Sequence, residues 1–320
     1  MISKPVISVV TPVYNEAENV LLFFHELAKM ARTVSYRFEL IFVDDGSSDN
    51  SVAVIESLAD EVKDNKNIGI QLIQLSRNFG KEIATTAGIE ASRGDAVIIL
   101  DADLQHPIDT IPTFIEEWEK GYEVVIGVRN TDGHGNPIKK LGSEVFYKIM
   151  NRISETKIVP HSTDFRLLDR KVVVAFRKFT ERQRITRGLI DWLGFKRGYV
   201  RFETRERAHG QPSYSTKKLV KLALNSVTTH SLFPLRLAGY VGTIFMVFFG
   251  LAGLFTYIEV YLMADPWGLK ITGTALLGML VLFAIGIVLS SLGLIALYIA
   301  NIHGEVANRP LYVVSKDEEI

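Results

Sequence analysis

The stretch "VIILDADLQHP", Val97 to Pro107, runs four apolar residues and then sets Asp101 and Asp103 on either side of one alanine. A carboxylate at the end of a buried strand is costly unless something positive meets it. Two carboxylates at this spacing point to a metal ion as that partner. Upstream, "VISVV" (Val6–Val10), "LIFV" (Leu40–Val43) and "IQLIQL" (Ile70–Leu75) read as further strands, as do Ala96–Leu100 itself and "VVIGV" (Val124–Val128). Helical spacing fills the intervals, as at Ala17–Met30 and Ser51–Val62. Continuous apolar strands alternating with helices predict an α/β fold with a mostly parallel sheet covered on both faces. Ligands bind such sheets at the carboxyl ends of the strands. The polar clusters fall there: "TPVYNE" (11–16), "DDGSSD" (44–49), "SRNFGK" (76–81) and "DADLQHP" (101–107).

Composition excludes some chemistry. The 36 Lys and Arg balance the 36 Asp and Glu, so there is no global basic signal for nucleic acid. The absence of cysteine removes disulfides and thiolate zinc sites and fits a reducing compartment.

The second half differs. Pro234–Ala264 is almost wholly apolar and Gly273–Ile302 carries no charge, each exceeding the roughly 20 residues that span a bilayer. The intervening "DPWGLKIT" reads as an interfacial turn, so a two-helix transmembrane hairpin is expected. Lys217, Lys218, Lys221 and Arg236 precede it, whereas its loop has Lys270 offset by Asp265. That asymmetry places the large N-terminal domain and the C-terminus in the cytoplasm. In "YSTKKLVKLALNSVTTHSLF" (214–233), Leu219, Leu222, Ala223 and Val227 share one face, as in an interfacial amphipathic helix or one packed on the soluble domain. Small-residue pairs at Gly239/Thr243 and Gly286/Ser290 allow close helix packing and leave a homo-oligomer open. The expected layout is an α/β domain at 1–165, further and juxtamembrane amphipathic helices at 166–232, two transmembrane helices at 233–303 and a tail at 304–320.

The site residues can be ranked by chemistry. Oxygen ligands suit Mg2+ or Mn2+, ions that commonly share their shell with substrate phosphates. Asp103 and Gln105 are the preferred ligand pair, with Asp101 binding the ion through water or facing a ribose. Asp44 and Asp45 follow a buried strand and can accept hydrogen bonds from a base or ribose. The dispersed His106, His134, His161 and His209 form no zinc pattern and read as loop or phosphate-neighbour residues.

Taken in order, "PVYNE", "VDDGSSD" and "DADLQHP" resemble family 2 glycosyltransferases of the GT-A, Rossmann-like fold. "GVRN", "STDFRLLDR" (162–170) and "RERAHGQPSYS" (205–215) narrow this to the polyprenyl-phosphate glycosyltransferases, including dolichol-phosphate mannose synthase and the bacterial bactoprenol glucosyltransferases. The resemblance implies that Pro12, Tyr14, Glu16 and Asp44 hold the nucleoside. It implies that Asp101, Asp103 and Gln105 bind metal and diphosphate, with Asp101 and Arg129 on the nucleotide sugar. Arg205, Arg207 and Ser213 would meet the acceptor phosphate, although "AHGQPS" is one residue longer than the "GxS" of simpler members. Asp164 is implied near the reaction centre, with Asp103 as the other catalytic carboxylate.

A phosphate monoester has a second pKa near ~6 and is largely anionic at neutral pH, so Asp164 is expected to orient the acceptor or sugar rather than take a proton. The expected activity is inverting, metal-dependent transfer of a sugar to undecaprenyl phosphate at the cytoplasmic leaflet of a bacterial inner membrane. UDP-glucose is the favoured donor, with modified aminoarabinose, mannose or an N-acetylhexosamine as alternatives. A processive polysaccharide synthase is disfavoured because "RQRITRG" (182–188) lacks the tryptophan of Q-x-x-R-W. A non-catalytic lipid-sugar binding subunit is disfavoured because Asp44, Asp101, Asp103 and Gln105 are all present.

Overall fold

The computed structural model describes residues 5–130 except 66, 159–203 except 183, five positions between 251 and 263, and 273–319. The chain divides into two units, Met1–Ser213 with Arg309–Ile320, and Tyr214–Asn308.

The first unit opens with β1 (Val6–Val13), α1 (Ala17–Ala31), β2 (Arg37–Asp44), α2 (Ser51–Val62), β3 (Ile68–Leu75), α3 (Lys81–Ala91) and β4 (Ala96–Ile99). A 3-10 turn at Ile108–Thr110 leads into α4 (Ile111–Glu119). Then come β5 (Val124–Arg129), β6 (Ser162–Asp169), α5 (Arg170–Phe176), α6 (Thr186–Trp192) and β7 (Arg197–Phe202). One eight-stranded sheet results, in the order β7-β5-β6-β4-β1-β2-β3-β8, where β8 is Val314–Glu319. The strands and helices expected between Val6 and Val128 are present, within a few residues at their ends. The sheet extends beyond the boundary expected at residue 165.

Strands β3, β2, β1 and β4 are parallel, and both sheet faces are buried. Along β4, Ala96 and Ile98 pack into the layer beneath α1, α2 and α4, while Val97 and Ile99 pack beneath α3. This two-sided burial is why the strands read as unbroken apolar runs. In α1, Val20, Phe23, Phe24, Leu27 and Met30 recur at helical spacing and make its buried face. Helix α3 instead buries the small run Ala84–Ile89. At Gly88 an added Cβ would collide with the Val10 side chain, so its bare Cα lets α3 lie close on the sheet.

The chain turns outward from β1 in both directions, to β2 on one side and β4 on the other. That is the topological switch point of a doubly wound sheet, where a crevice opens at the strand carboxyl ends. Strand β6 runs antiparallel to β4 with Ile99 opposite Arg166. The reversal carries the start of β6, with Asp164, to the same edge as Asp101.

The segment expected as a cytoplasmic tail contains β8. It pairs antiparallel with β3, Gln71 opposite Glu319 through Leu75 opposite Val314, and covers an edge that would otherwise be open. Tyr312 Oη, just before it, donates to Glu90 on α3 at 2.8 Å.

In the second unit, α7 (Gly273–Val306) is one continuous helix of 34 residues. Its side chains are described at some positions only, Leu277, Leu280, Val288 and Leu292 among them as exposed apolar groups. Among the described residues no helix is long and apolar enough to cross a membrane, so the expected transmembrane hairpin is not a feature shown by the structure. Most of the expected first span, and the whole amphipathic stretch 214–233, lie outside the described residues.

Behind the crevice, the fully buried Arg166 of β6 makes a two-pronged pair with Asp191 of α6, at 2.8 and 3.3 Å. Arg166 Nε also donates to the Thr163 carbonyl at 3.3 Å. Breaking one side of such a pair strands a buried charge, typically at about 3–5 kcal/mol, whereas replacing both sides with apolar groups is far milder. Asp191→Ala is therefore expected to lower unfolding stability by about that amount. The Arg166→Met/Asp191→Leu double variant should recover most of it in chemical denaturation.

Candidate active site

Three layers of contacts build the crevice. In the outermost, the loops after β1 and β2 are laced together. Asn15 N donates to Ser47 Oγ at 2.9 Å, Ser48 N to Asn15 Oδ1 at 2.8 Å and Glu16 N to Ser51 Oγ at 2.9 Å. Asn15 takes a left-handed conformation, φ 55°, to make this turn. Of the residues expected at the nucleoside, Pro12 is half-buried at the end of β1, Tyr14 is exposed and Glu16 half-buried at the loop rim. Asp44 is fully buried, and its carboxylate accepts from Ser47 N at 3.2 and 3.3 Å. These four surround one sheet edge.

The second layer corrects the expectation that Asp45 accepts from a base or ribose, because both of its carboxylate oxygens are taken by the neighbouring loop. Asp45, also buried, turns the other way and accepts from Phe79 N at 2.7 Å and Gly80 N at 2.9 Å. Burial pushes its carboxyl pKa upward, and the two backbone donors only partly oppose this. Gly46, φ +71°, passes so close to the next loop that a Cβ there would sit 2.6 Å from the Arg77 carbonyl carbon. "DDGSSD" and "SRNFGK" are thus halves of one device. It ends by presenting Lys81 at the start of α3.

The third layer is the reaction edge. Lys81 Nζ lies 2.7 Å from Asp101 Oδ1 and 2.8 Å from Asp101 Oδ2, and 3.1 Å from Asp164 Oδ2. Burial alone would lower the lysine, but Asp101 and then Asp164 outweigh it and raise the ammonium well above the usual lysine range. Burial alone would likewise raise Asp164, yet the Lys81 and Arg187 charges hold its carboxyl below the usual carboxylate range.

Asp101, Asp103 and His106 bring one ligand atom each within 4.8 Å of one another. The turn that gathers them puts Leu104 at φ 58°, and Gln105 N donates to Asp103 Oδ1 at 3.1 Å. His106 is only 4 % exposed, its ring lies against Phe165 and Phe202, and neither ring nitrogen has a hydrogen-bond partner. Burial first, and the Arg129 charge among the others, lower its pKa and favour the neutral imidazole. A buried imidazole with both nitrogens unmet, beside two carboxylates, fits a divalent metal ion. The burial of His106 beside Asp101 and Asp103 makes it a candidate ligand, a role that its reading as a loop or phosphate-neighbour residue did not include. Gln105, the expected ligand, is half-buried in the same turn.

Arg129 stands exposed at the end of β5, where its backbone N donates to the His161 carbonyl at 3.1 Å. Arg205, Arg207 and Ser213 lie outside the described residues. Sequence reasoning alone does not single out Lys81, the loop-bracing role of Asp45, or His106 as a ligand. The available signals are the lysine ending "SRNFGK" and the doubled aspartate after β2.

Comparison with known proteins agrees with this geometry. Residues 8–176 match the model of "Glycosyl transferase family 2". The chain is 38% identical to an uncharacterised glycosyltransferase of Bacillus subtilis, over 97% of this chain and 93% of that protein. It is 37% identical to one of Synechocystis, over 97% and 94%. Against the bactoprenol glucosyl transferase of Shigella phage SfII it is 35% identical over 97% of each chain. Among solved structures, a mannosyltransferase of Pyrobaculum calidifontis in complex with GDP-Man and Mn2+ aligns with a TM-score of 0.46 at 17% identity, covering 66% of this chain and 59% of that one. That likeness is too distant to carry an argument. The strand order, the acidic strand ends and the family match agree on one conclusion: this chain is a glycosyltransferase and belongs to glycosyl transferase family 2.

Proposed function

We propose that the protein transfers one sugar from a nucleotide donor, UDP-glucose by preference, to a polyprenyl phosphate such as undecaprenyl phosphate. The observation that carries this is the meeting of Asp101, Asp103 and His106 with Asp164 at the switch point, in a chain similar end to end to a bactoprenol glucosyl transferase. In this reading the acceptor phosphate oxygen attacks the anomeric carbon as the bond to the nucleoside diphosphate breaks, with inversion. Asp44, Tyr14 and Pro12 border the nucleoside, and Glu16 closes that rim. Asp101, Asp103 and His106 would hold a divalent ion, with Gln105 beside them. Such an ion neutralises charge on a departing diphosphate. A mixed oxygen and imidazole set favours Mn2+ over Mg2+.

Asp164 is held ionised by Lys81 and is therefore a poor proton acceptor; its role is to orient the acceptor or the sugar. An anionic phosphate needs no base. Arg129 meets the nucleotide sugar, and Arg205, Arg207 and Ser213 supply the acceptor-phosphate contacts. The charge-free sequence run Gly273–Ile302 and the lysines at 217, 218 and 221 support a membrane hairpin with the catalytic domain on the cytoplasmic side, where a lipid acceptor would be met.

Purified protein is expected to transfer labelled sugar to undecaprenyl phosphate from UDP-glucose, more efficiently than from UDP-N-acetylglucosamine or GDP-mannose, with Mn2+ and not with chelator. Absence of a chelator-sensitive product from all three donors would sink the reading. His106→Ala is expected to weaken Mn2+ binding about 10–100-fold, read by titration without donor. For Asp164→Asn the expectation is lower turnover with an unmoved pH profile. The rise in rate near pH ~6, set by the acceptor phosphate, should persist. Its disappearance in the variant would instead make Asp164 a proton acceptor.

A further inference from the structure

Lys81 is held in place more firmly than a surface lysine. Its backbone follows directly on Gly80, whose N–H is fixed to Asp45, and Gly46 packs against the preceding residues. From that anchor the ammonium reaches into the crevice and meets both oxygens of Asp101 and one of Asp164. The three side chains remain partly exposed, at 39 %, 21 % and 34 %, so the cluster opens to the crevice rather than closing a core. Asp101 therefore belongs to two groups at once: the acid pair bridged by Lys81 and the donor set with Asp103 and His106. A fixed positive charge on one ligand of a divalent-ion site repels the ion, and it also shares that ligand's lone pairs.

We infer that Lys81 is a further positioning residue of the transfer reaction, clamping Asp164 at the reaction edge and competing with the divalent ion for Asp101. In the absence of donor, Asp103 and His106 are the principal holders of the ion. The same ammonium fixes the distance between Asp101 and Asp164, which sit on different strands. The inference rests on the functional reading above for its catalytic part, whereas its metal part rests only on the side chains named here.

The test uses full-length protein carrying Lys81→Met, Lys81→Gln or Lys81→Arg, each with its thermal unfolding measured. Free Mn2+ is titrated by electron paramagnetic resonance without nucleotide sugar, and kcat and KM are measured separately at saturating Mn2+. Loss of the charge in Lys81→Met or Lys81→Gln is expected to tighten Mn2+ about tenfold by removing a nearby repulsion, while kcat falls about tenfold or more and donor KM changes little. Lys81→Arg should keep the wild-type Mn2+ affinity and retain more turnover than either neutral variant.

Mn2+ affinity unchanged or weakened in a neutral variant that unfolds at the wild-type temperature would overturn the inference, as would an unchanged kcat. If one neutral variant is unfolded, the other carries the same two readouts; if both are unfolded, Lys81 is a structural residue and the inference falls. A wild-type protein that transfers no sugar would refute the functional reading, yet its Mn2+ titration would still decide the competition for Asp101.

Discussion

Five carboxylates, those of Asp44, Asp45, Asp101, Asp103 and Asp164, are gathered at one edge of a sheet whose interior is largely apolar. Like charges at the ends of buried strands resist being brought together, and each must be met by a donor or a positive charge. The fold resolves this residue by residue. Asp44 takes a backbone donor from its own turn, and Asp45 takes two from the neighbouring loop. Asp101 and Asp164 share one lysine. The remaining acidic character, at Asp101 and Asp103 beside His106, is a donor set that could hold a metal ion. The catalytic crevice is thus the remainder after structural compensation, and its chemistry follows from which carboxylates are left facing it.

Much of this is legible in the amino-acid sequence. Strands buried on both faces produce apolar runs such as "VIIL", and helices such as α1 repeat their core residues at helical spacing. Element types and the site-bearing edge can therefore be read directly. The D-x-D motif is local, so spacing alone is enough to find Asp101 and Asp103. Lys81 is hidden, because its meaning depends on the reversal of β6. Only an antiparallel partner to β4 brings Asp164, 83 residues away in the chain, to the same ammonium. His106 escapes for a related reason. A histidine in a loop sequence looks solvated, and nothing in "LQHP" says that Phe165 and Phe202 will bury its ring. The segment "VSKDEE" reads as a tail because a charged edge strand has no apolar alternation to announce it.

The long-range ties share a pattern. Arg166 with Asp191, Arg184 with Glu90 and Thr186 N with Glu82 all fasten the region around α6 to the sheet or to α3. Glu90 also receives Tyr312, from the far end of the sequence. Helix α3 therefore begins at the reaction edge with Lys81 and is gripped near its other end by residues from two later segments. Its close seating through Gly88 makes it a stiff element between them. These ties explain how a lysine on the flank of the crevice can be placed to within hydrogen-bonding distance of two carboxylates from different parts of the chain.

The position of β8 has a consequence for how the molecule is made. Residues 314–319 leave the ribosome only after the entire long helix α7, yet they form an outer strand of the catalytic sheet. While α7 is being synthesised, the unpaired rim of β3 stands without its cover, and an uncovered strand edge invites pairing with another chain. The sheet is therefore finished late, by a segment distant in the chain, and the nascent protein depends on whatever shields that rim in the interval.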